Sequence, residues 1–124
     1  MSVYVGNILE DTKKNENFRK VVNTAPNSQL VVMTLQPRED IGAEVHDEHD
    51  QFIRIEEGNG KAVIDGKEYE IKDDWAIVIP AGAEHNVINT SKDKVMKLYT
   101  IYSPPEHAEG TIHMTKEEAI AAEH

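Results

Sequence analysis

Lys61-Ala-Val-Ile-Asp65-Gly66-Lys-Glu-Tyr-Glu-Ile71 reads as two short strands joined by a two-residue turn. Asp-Gly suits a tight hairpin, because the turn whose twist matches its flanking strands needs positive φ at both central positions. Outward from that hairpin, turn signals recur at short intervals: Pro26-Asn27-Ser28, Pro37-Arg38-Glu39-Asp40, Gly58-Asn59-Gly60, Lys72-Asp73-Asp74, Pro80-Ala81-Gly82 and Asn89-Thr90-Ser91-Lys92-Asp93. The runs between them are rich in Val, Ile, Tyr and Phe, and predict strands over 19–23, 29–36, 43–46, 51–57, 61–64, 67–71, 75–79, 85–89 and 95–102. Many short strands at regular spacing predict an all-β sandwich or barrel, not alternating strand and helix units. Only the end reads as helical, where the capping box Thr115-Lys116-Glu117-Glu118 precedes Ala119-Ile120-Ala121-Ala122.

A chain of 124 residues, 39% of them hydrophobic, is the size of one ordinary domain. No internal linker or repeat divides it, so the expectation is one domain over 1–124, with the barrel over about 18–102 and a C-terminal extension and helix over about 103–124. No apolar run approaches the roughly 18–20 residues of a membrane span. The opening MSVYVGNILEDTKKNE turns acidic and lysine-rich by position 10, unlike a secretory leader. With no cysteine there is no disulfide framework and no thiolate ligand or nucleophile, which is consistent with a cytoplasmic protein. A net charge of −10 opposes both nucleic acid and anionic membranes as partners.

Two segments carry the chemistry. In Gly42-Ala-Glu44-Val-His46-Asp-Glu-His49-Asp-Gln51-Phe-Ile-Arg-Ile-Glu-Glu-Gly58, strand parity puts Glu44 and His46 on one face. After the polar turn 47–50, Gln51, Ile53 and Ile55 share a face that should point inward, so a carboxylate, an imidazole and a carboxamide are expected to converge across one hairpin. Polar groups inside a Val- and Ile-lined barrel are costly unless paired or coordinating, and a metal satisfies all three. In Pro80-Ala-Gly82-Ala-Glu-His85-Asn-Val-Ile-Asn89, a rigid turn leads into a strand opened by His85, the candidate fourth ligand. Two nitrogens and two oxygens suit Mn²⁺, Fe²⁺, Co²⁺, Ni²⁺ or Zn²⁺.

These segments resemble the two motifs of the cupin superfamily over about residues 28–102. The second motif, G-x5-P-x-G-x2-H-x3-N, is matched at Pro80, Gly82, His85 and Asn89, with Asp74 in the place of the leading glycine. Against the first, G-x5-H-x-H-x3-4-E-x6-G, Gln51 falls at the glutamate, His46 at the second histidine and Glu44 at the first, so the usual three-histidine, one-glutamate set becomes Glu44, His46, Gln51 and His85. The resemblance implies a double-stranded β-helix, or jelly roll, around a divalent metal. The stretches 50–58, 102–107 and 110–116 are similar to a subgroup labelled mannose-6-phosphate isomerase-like, a label of fold more than of activity.

Other readings compete at individual positions. His49 lies three residues from His46, hence on the opposite face of a strand, and fits a loop at the barrel mouth; it and Tyr99 are the candidate acid–base groups. Trp75, Tyr99 and Tyr102 are candidates for the pocket wall or for ordinary core. Phe52 and Arg54 fall on the face opposite Gln51, where an exposed aromatic suggests a homodimer. His107 and His113 lie in the tail expected to pack across the barrel, and Asn89 and Asp74 read as structural turn residues. The function implied is metal-dependent isomerisation, lyase action or oxygenation of a small oxygenated molecule such as a sugar or keto acid; the alternative is a non-catalytic module that binds or senses a small molecule.

Overall fold

The structure, a computed structural model, describes residues 2–123. After a first helix, α1 (Ile8–Lys14), come nine strands: β1 (Arg19–Thr24), β2 (Gln29–Leu35), β3 (Glu44–Val45), β4 (Asp50–Glu57), β5 (Asn59–Ile64), β6 (Lys67–Lys72), β7 (Ala76–Ile79), β8 (Glu84–Asn89) and β9 (Met96–Ser103). A short β10 (Ile112–His113) and α2 (Lys116–Glu123) follow. The strands form two antiparallel sheets, a six-stranded one in the order β10-β1-β2-β9-β4-β7 and a four-stranded one in the order β3-β8-β5-β6. This is the expected all-β jelly roll with a terminal helix. No helix among the described residues is long and apolar enough to cross a membrane.

The hairpin around Asp65 and Gly66 forms as read, with φ of 49° and 82° and Ile64 paired to Lys67. Along β4 the alternation holds: Gln51, Ile53 and Ile55 are 3%, 0% and 0% exposed, while Phe52 and Arg54 face outward and are only half-buried. Register carries the inward row across the sheet, with Gln51 opposite Tyr102, Ile53 opposite Thr100 and Ile55 opposite Leu98. The next step sets Tyr102 beside Gln29, Thr100 beside Val31 and Leu98 beside Met33. Val87 and Ala62 from the second sheet close the same core. On the outer face Phe52 packs on Tyr99, ring centroids 6.1 Å apart, and Arg54 is held by Glu56 and Asp74.

Two expectations are corrected. Glu44 and Gln51 do not belong to one hairpin: β3 pairs with β8 in the small sheet, Glu44 opposite His85, whereas β4 lies between β9 and β7 in the large one. The chain crosses from sheet to sheet between them, so the groups meet across the barrel interior. The second correction is α1, since the end is not the only helix. Asn7 caps it by accepting the Glu10 N–H, and Glu10, Asp11, Lys13 and Lys14 complement its dipole. A seven-residue helix with one buried side chain, Thr12, has no apolar stripe to betray it. Its anchor is tertiary, because the buried Lys97 ammonium and the Thr34 hydroxyl both donate to the Asn15 carbonyl just past its end.

Gly60 marks the tightest contact between neighbouring strands. A Cβ built there would stand 2.1 Å from the Ile88 carbonyl oxygen and 2.5 Å from Met96 Cε. Backbone cannot yield that distance, so Gly60→Ala is expected to destabilise the barrel by at least about 1–3 kcal/mol, the range of an overpacked core. Its urea midpoint should fall clearly below that of the parent, and an unchanged midpoint would show the strand pair to be looser than described.

Candidate functional site

Three of the four expected donors, Glu44, His46 and His85, meet on the small sheet at one end of the barrel, and Gln51 projects towards them from the large one. His46, just past β3, has its Nε2 3.0 Å from Glu44 Oε2, yet the two are not aligned as a hydrogen bond and this buried nitrogen is left without a partner. The rings of His46 and His85 are 5.3 Å apart between centroids. His85 Nδ1 donates to the Ala83 carbonyl at 3.0 Å, the only role open to it against a carbonyl, which fixes the tautomer and leaves Nε2 with a free lone pair. Gln51 is held from behind, its Nε2 donating to Thr100 Oγ1 at 3.0 Å while that hydroxyl donates to the Phe52 carbonyl. The carboxamide oxygen, Gln51 Oε1, is buried and unpartnered.

The electrostatics follow from this crowding. Burial alone would raise the Glu44 carboxyl, but His46, Arg19 and His85 outweigh it and hold Glu44 below the usual carboxylate range. Glu44 in turn draws His46 upward against the effect of burial, with help from Glu106. Burial, and then the Glu44 charge, push the Tyr102 phenol far up, so it stays neutral.

The tail roofs the mouth. Gln29, 1% exposed, bonds it at both ends of its carboxamide: Nε2 donates to the His107 carbonyl at 2.7 Å and Oε1 accepts from the Glu106 and His107 N–H groups. Glu106 thereby reaches His49 Nε2 at 2.8 Å and His46 Nδ1 at 3.6 Å. His49 Nδ1 lies 2.7 Å from the Pro104 carbonyl. His107 stacks edge-on against Tyr102 at 5.2 Å. A groove of ≈ 510 Å³ opens beside this roof, lined by Phe18, Arg19, Glu44, His46, Glu106 and Lys116 among others.

The expected residues therefore divide. Glu44, His46 and His85 are brought together; Gln51 projects into the same interior beside Tyr102; His49 stands at the mouth, its ring 5.9 Å from that of His46. Tyr99 is not brought to the site: it pairs with Arg54 on the outer face, and the inward tyrosine is Tyr102. Trp75 is 46% exposed and lines neither core nor mouth. Asn89 is structural, its amide donating to the Leu35, Gln36 and Lys94 carbonyls, and Asp74 takes φ 71°, the conformation of the glycine that it replaces. Arg19, Gln29 and Glu106 are site residues that the sequence reading missed. Only Arg19 had a signal, its parity with Val21.

Among the described residues no three His, Asp or Glu side chains form a preformed metal-coordinating group. The donor types nonetheless fit a cation: two imidazoles, one carboxylate held in its ionised form and one carboxamide oxygen without a partner line the same end of the interior.

Residues 31–102 match the family described as Cupin domain. The chain is 47% identical over 118 residues to Uncharacterized protein L612 of Acanthamoeba polyphaga mimivirus, covering 92% of this chain and 73% of that protein. It is likewise 47% identical over 127 residues to Uncharacterized protein YrkC of Bacillus subtilis (strain 168), covering 97% and 67%. Among solved structures, BH2720 from Bacillus halodurans superposes with a TM-score of 0.93 at 44% identity, covering 95% of this chain and 93% of that one.

His107 makes the site's environment measurable. Burial, and then the nearby Arg19 charge, depress its imidazole to about 4, and its Nε2 is buried without a partner. The ring stays neutral in the folded protein, while an unfolded histidine takes up a proton near 6.5. Stability is thus unaffected by His107 above pH 6.5, falls as pH drops from about 6.5 towards 4, and levels off below. An NMR titration should place the His107 midpoint near 4; a midpoint near 6.5 would mean that the ring is solvated.

Proposed function

The chain belongs to the cupin domain family, and from that premise we propose that it holds one divalent transition metal on Glu44, His46, Gln51 and His85 and acts on a small oxygenated molecule. The observation that carries this reading is the pair of orphaned atoms, His46 Nε2 and Gln51 Oε1, buried beside a His85 whose tautomer leaves its second nitrogen free. Left without a partner, Gln51 Oε1 costs on the order of 1–3 kcal/mol, while His46 Nε2 has only the misaligned Glu44 carboxylate beside it. One cation relieves both and the Glu44 charge together.

Each donor has its own support. The Ala83 carbonyl orients His85, Thr100 orients Gln51 and Glu106 stands behind His46, the kind of outer partner that fixes ligand geometry. A metal so held supplies a Lewis acid for a carbonyl or hydroxyl oxygen, or lowers the pKa of bound water. Proton transfer falls to the His49–Glu106 pair. His49 Nδ1 faces the Pro104 carbonyl and its Nε2 stands 2.8 Å from Glu106 Oε2, within reach for proton transfer at the mouth where a ligand would enter. Tyr102, held neutral by burial, is a hydrogen-bond donor and not a base. The reaction classes that this set would serve are isomerisation, lyase or oxygenase chemistry on a small oxygenated molecule.

Elemental mass spectrometry of untagged protein should find about one equivalent of manganese, iron, cobalt, nickel or zinc in the parent and none in the His46→Ala, His85→Ala double variant. Glu44→Gln should weaken metal affinity less than His46→Ala does, and His46→Ala should weaken it by more than about tenfold, the scale at which even outer-shell losses are felt. Full metal content in the double variant would sink the assignment.

A further inference from the structure

Among the described residues Arg19 is the one buried cation without an ion pair or a carbonyl acceptor, Glu44 acting on it only from beyond contact distance. It is 3% exposed, its Nε has no partner, and no carboxylate among the described residues lies within ion-pair distance of it. Its neighbours are the Phe18 ring, 5.3 Å from Cζ to the centroid, and His113 Nδ1, 3.4 Å from Nη1. The other shielded cations are treated differently. Lys97 donates to the Asn15 carbonyl, Lys116 pairs with Asp40, and Arg54 bridges Glu56 and Asp74. A guanidinium taken out of water without a counter-charge costs several kcal/mol, so a position that keeps one needs an occupant the chain itself does not supply.

The location says what that occupant is. Arg19 lines the same groove as Glu44, His46 and Glu106, at the seam between β1 of the large sheet and β3 of the small one. Nη1 lies 3.4 Å from His113 Nδ1 and Nε has no partner, so the guanidinium keeps an unused donor for a planar two-oxygen group, the pairing for which it is shaped. Three carboxylates in the groove, Glu44, Glu106 and Glu123, oppose a doubly charged phosphate, and the other cation there, Lys116, is occupied by Asp40. We infer that Arg19 anchors the carboxylate of the ligand, which makes that ligand a small hydroxy or oxo acid with its second oxygen turned towards His46 and His85. This rests on the metal-centred reading above for the role of the second oxygen, but not for the carboxylate contact.

The test compares glycolate with glycolamide, which match in size and in oxygen functions but differ by one charge, using calorimetry on metal-loaded and metal-free protein. The parent should bind glycolate at least about tenfold more tightly than glycolamide, as charge-assisted pairing predicts. Arg19→Gln should bring that ratio to about one with metal content unchanged. Arg19→Lys, which keeps the charge and loses the fork, should lower the ratio several-fold and stands in if the Gln variant does not fold. A parent that does not discriminate, or a ratio unchanged in either folded variant, overturns the assignment. So does loss of metal from Arg19→Gln, which would make Arg19 a support of the metal ligands. A parent that takes up no metal yet prefers glycolate through Arg19 leaves the carboxylate anchor standing and removes the metal reading alone.

Discussion

A strand that turns every second side chain inward cannot place Gln51 in line with Ile53 and Ile55 without committing a carboxamide to the barrel interior. That constraint organises the molecule. The lower two-thirds of the row meets Thr100, Leu98, Val31 and Met33 and forms an apolar core; the top of it meets Tyr102 and Gln29 and must be satisfied some other way. Thr100 takes the amide nitrogen and nothing takes the oxygen. A polar layer thus sits on an apolar floor that keeps it dry, and there an unpaired lone pair costs most and a cation is held best.

The same layer explains why the tail is ordered over the mouth. Residues 104–107 carry little apolar surface of their own, and what ties them down is Gln29, with all of its carboxamide bonds spent on Thr24, Glu106 and His107. Gln29 is fully buried at the start of β2, ahead of the apolar run Leu30–Met33. Its use is to carry a second carboxylate, Glu106, to His46 and His49. Charge then propagates inward: two glutamates raise His46, while burial beside Arg19 keeps His107 neutral.

Much of this was legible in the sequence because it depends on parity and turn chemistry, which are local. The inward row of β4, the Asp65-Gly66 hairpin and the histidine after the Pro80-Ala81-Gly82 turn all follow from such rules. What was hidden depends on register or on sheet membership. Tyr99 and Tyr102 are three apart, so only one can face inward; the choice belongs to the pairing of Gln51 with Tyr102, which no residue of β9 announces. The crossing of the chain between β3 and β4 is likewise invisible to alternation, which is the same whether successive strands pair or face each other. Arg19 was visible by parity with Val21, but a charged residue at the start of a predicted strand reads as solvated unless burial is known. The first helix was masked because its stability comes from Asn15, Thr34 and Lys97 and not from a stripe of its own.

Where the pieces lie in the chain separates two tasks. All four proposed metal donors fall inside the stretch 31–102 that matches the cupin family, three on strands of the barrel and His46 just past β3. Arg19, Glu106, His107 and His113 fall outside it, on β1, the roof and β10, and they close over the mouth from one side. A metal needs only a rigid barrel and a dry interior, which the matched stretch supplies. A ligand needs a counter-charge and a shape, and these come from segments that wrap the barrel without building it. On this proposed division, changes to the flanking segments would alter which ligand is held while the barrel stays intact. Chains that share the barrel can therefore act on different molecules, and likeness of fold to other cupins says little about the substrate of this one.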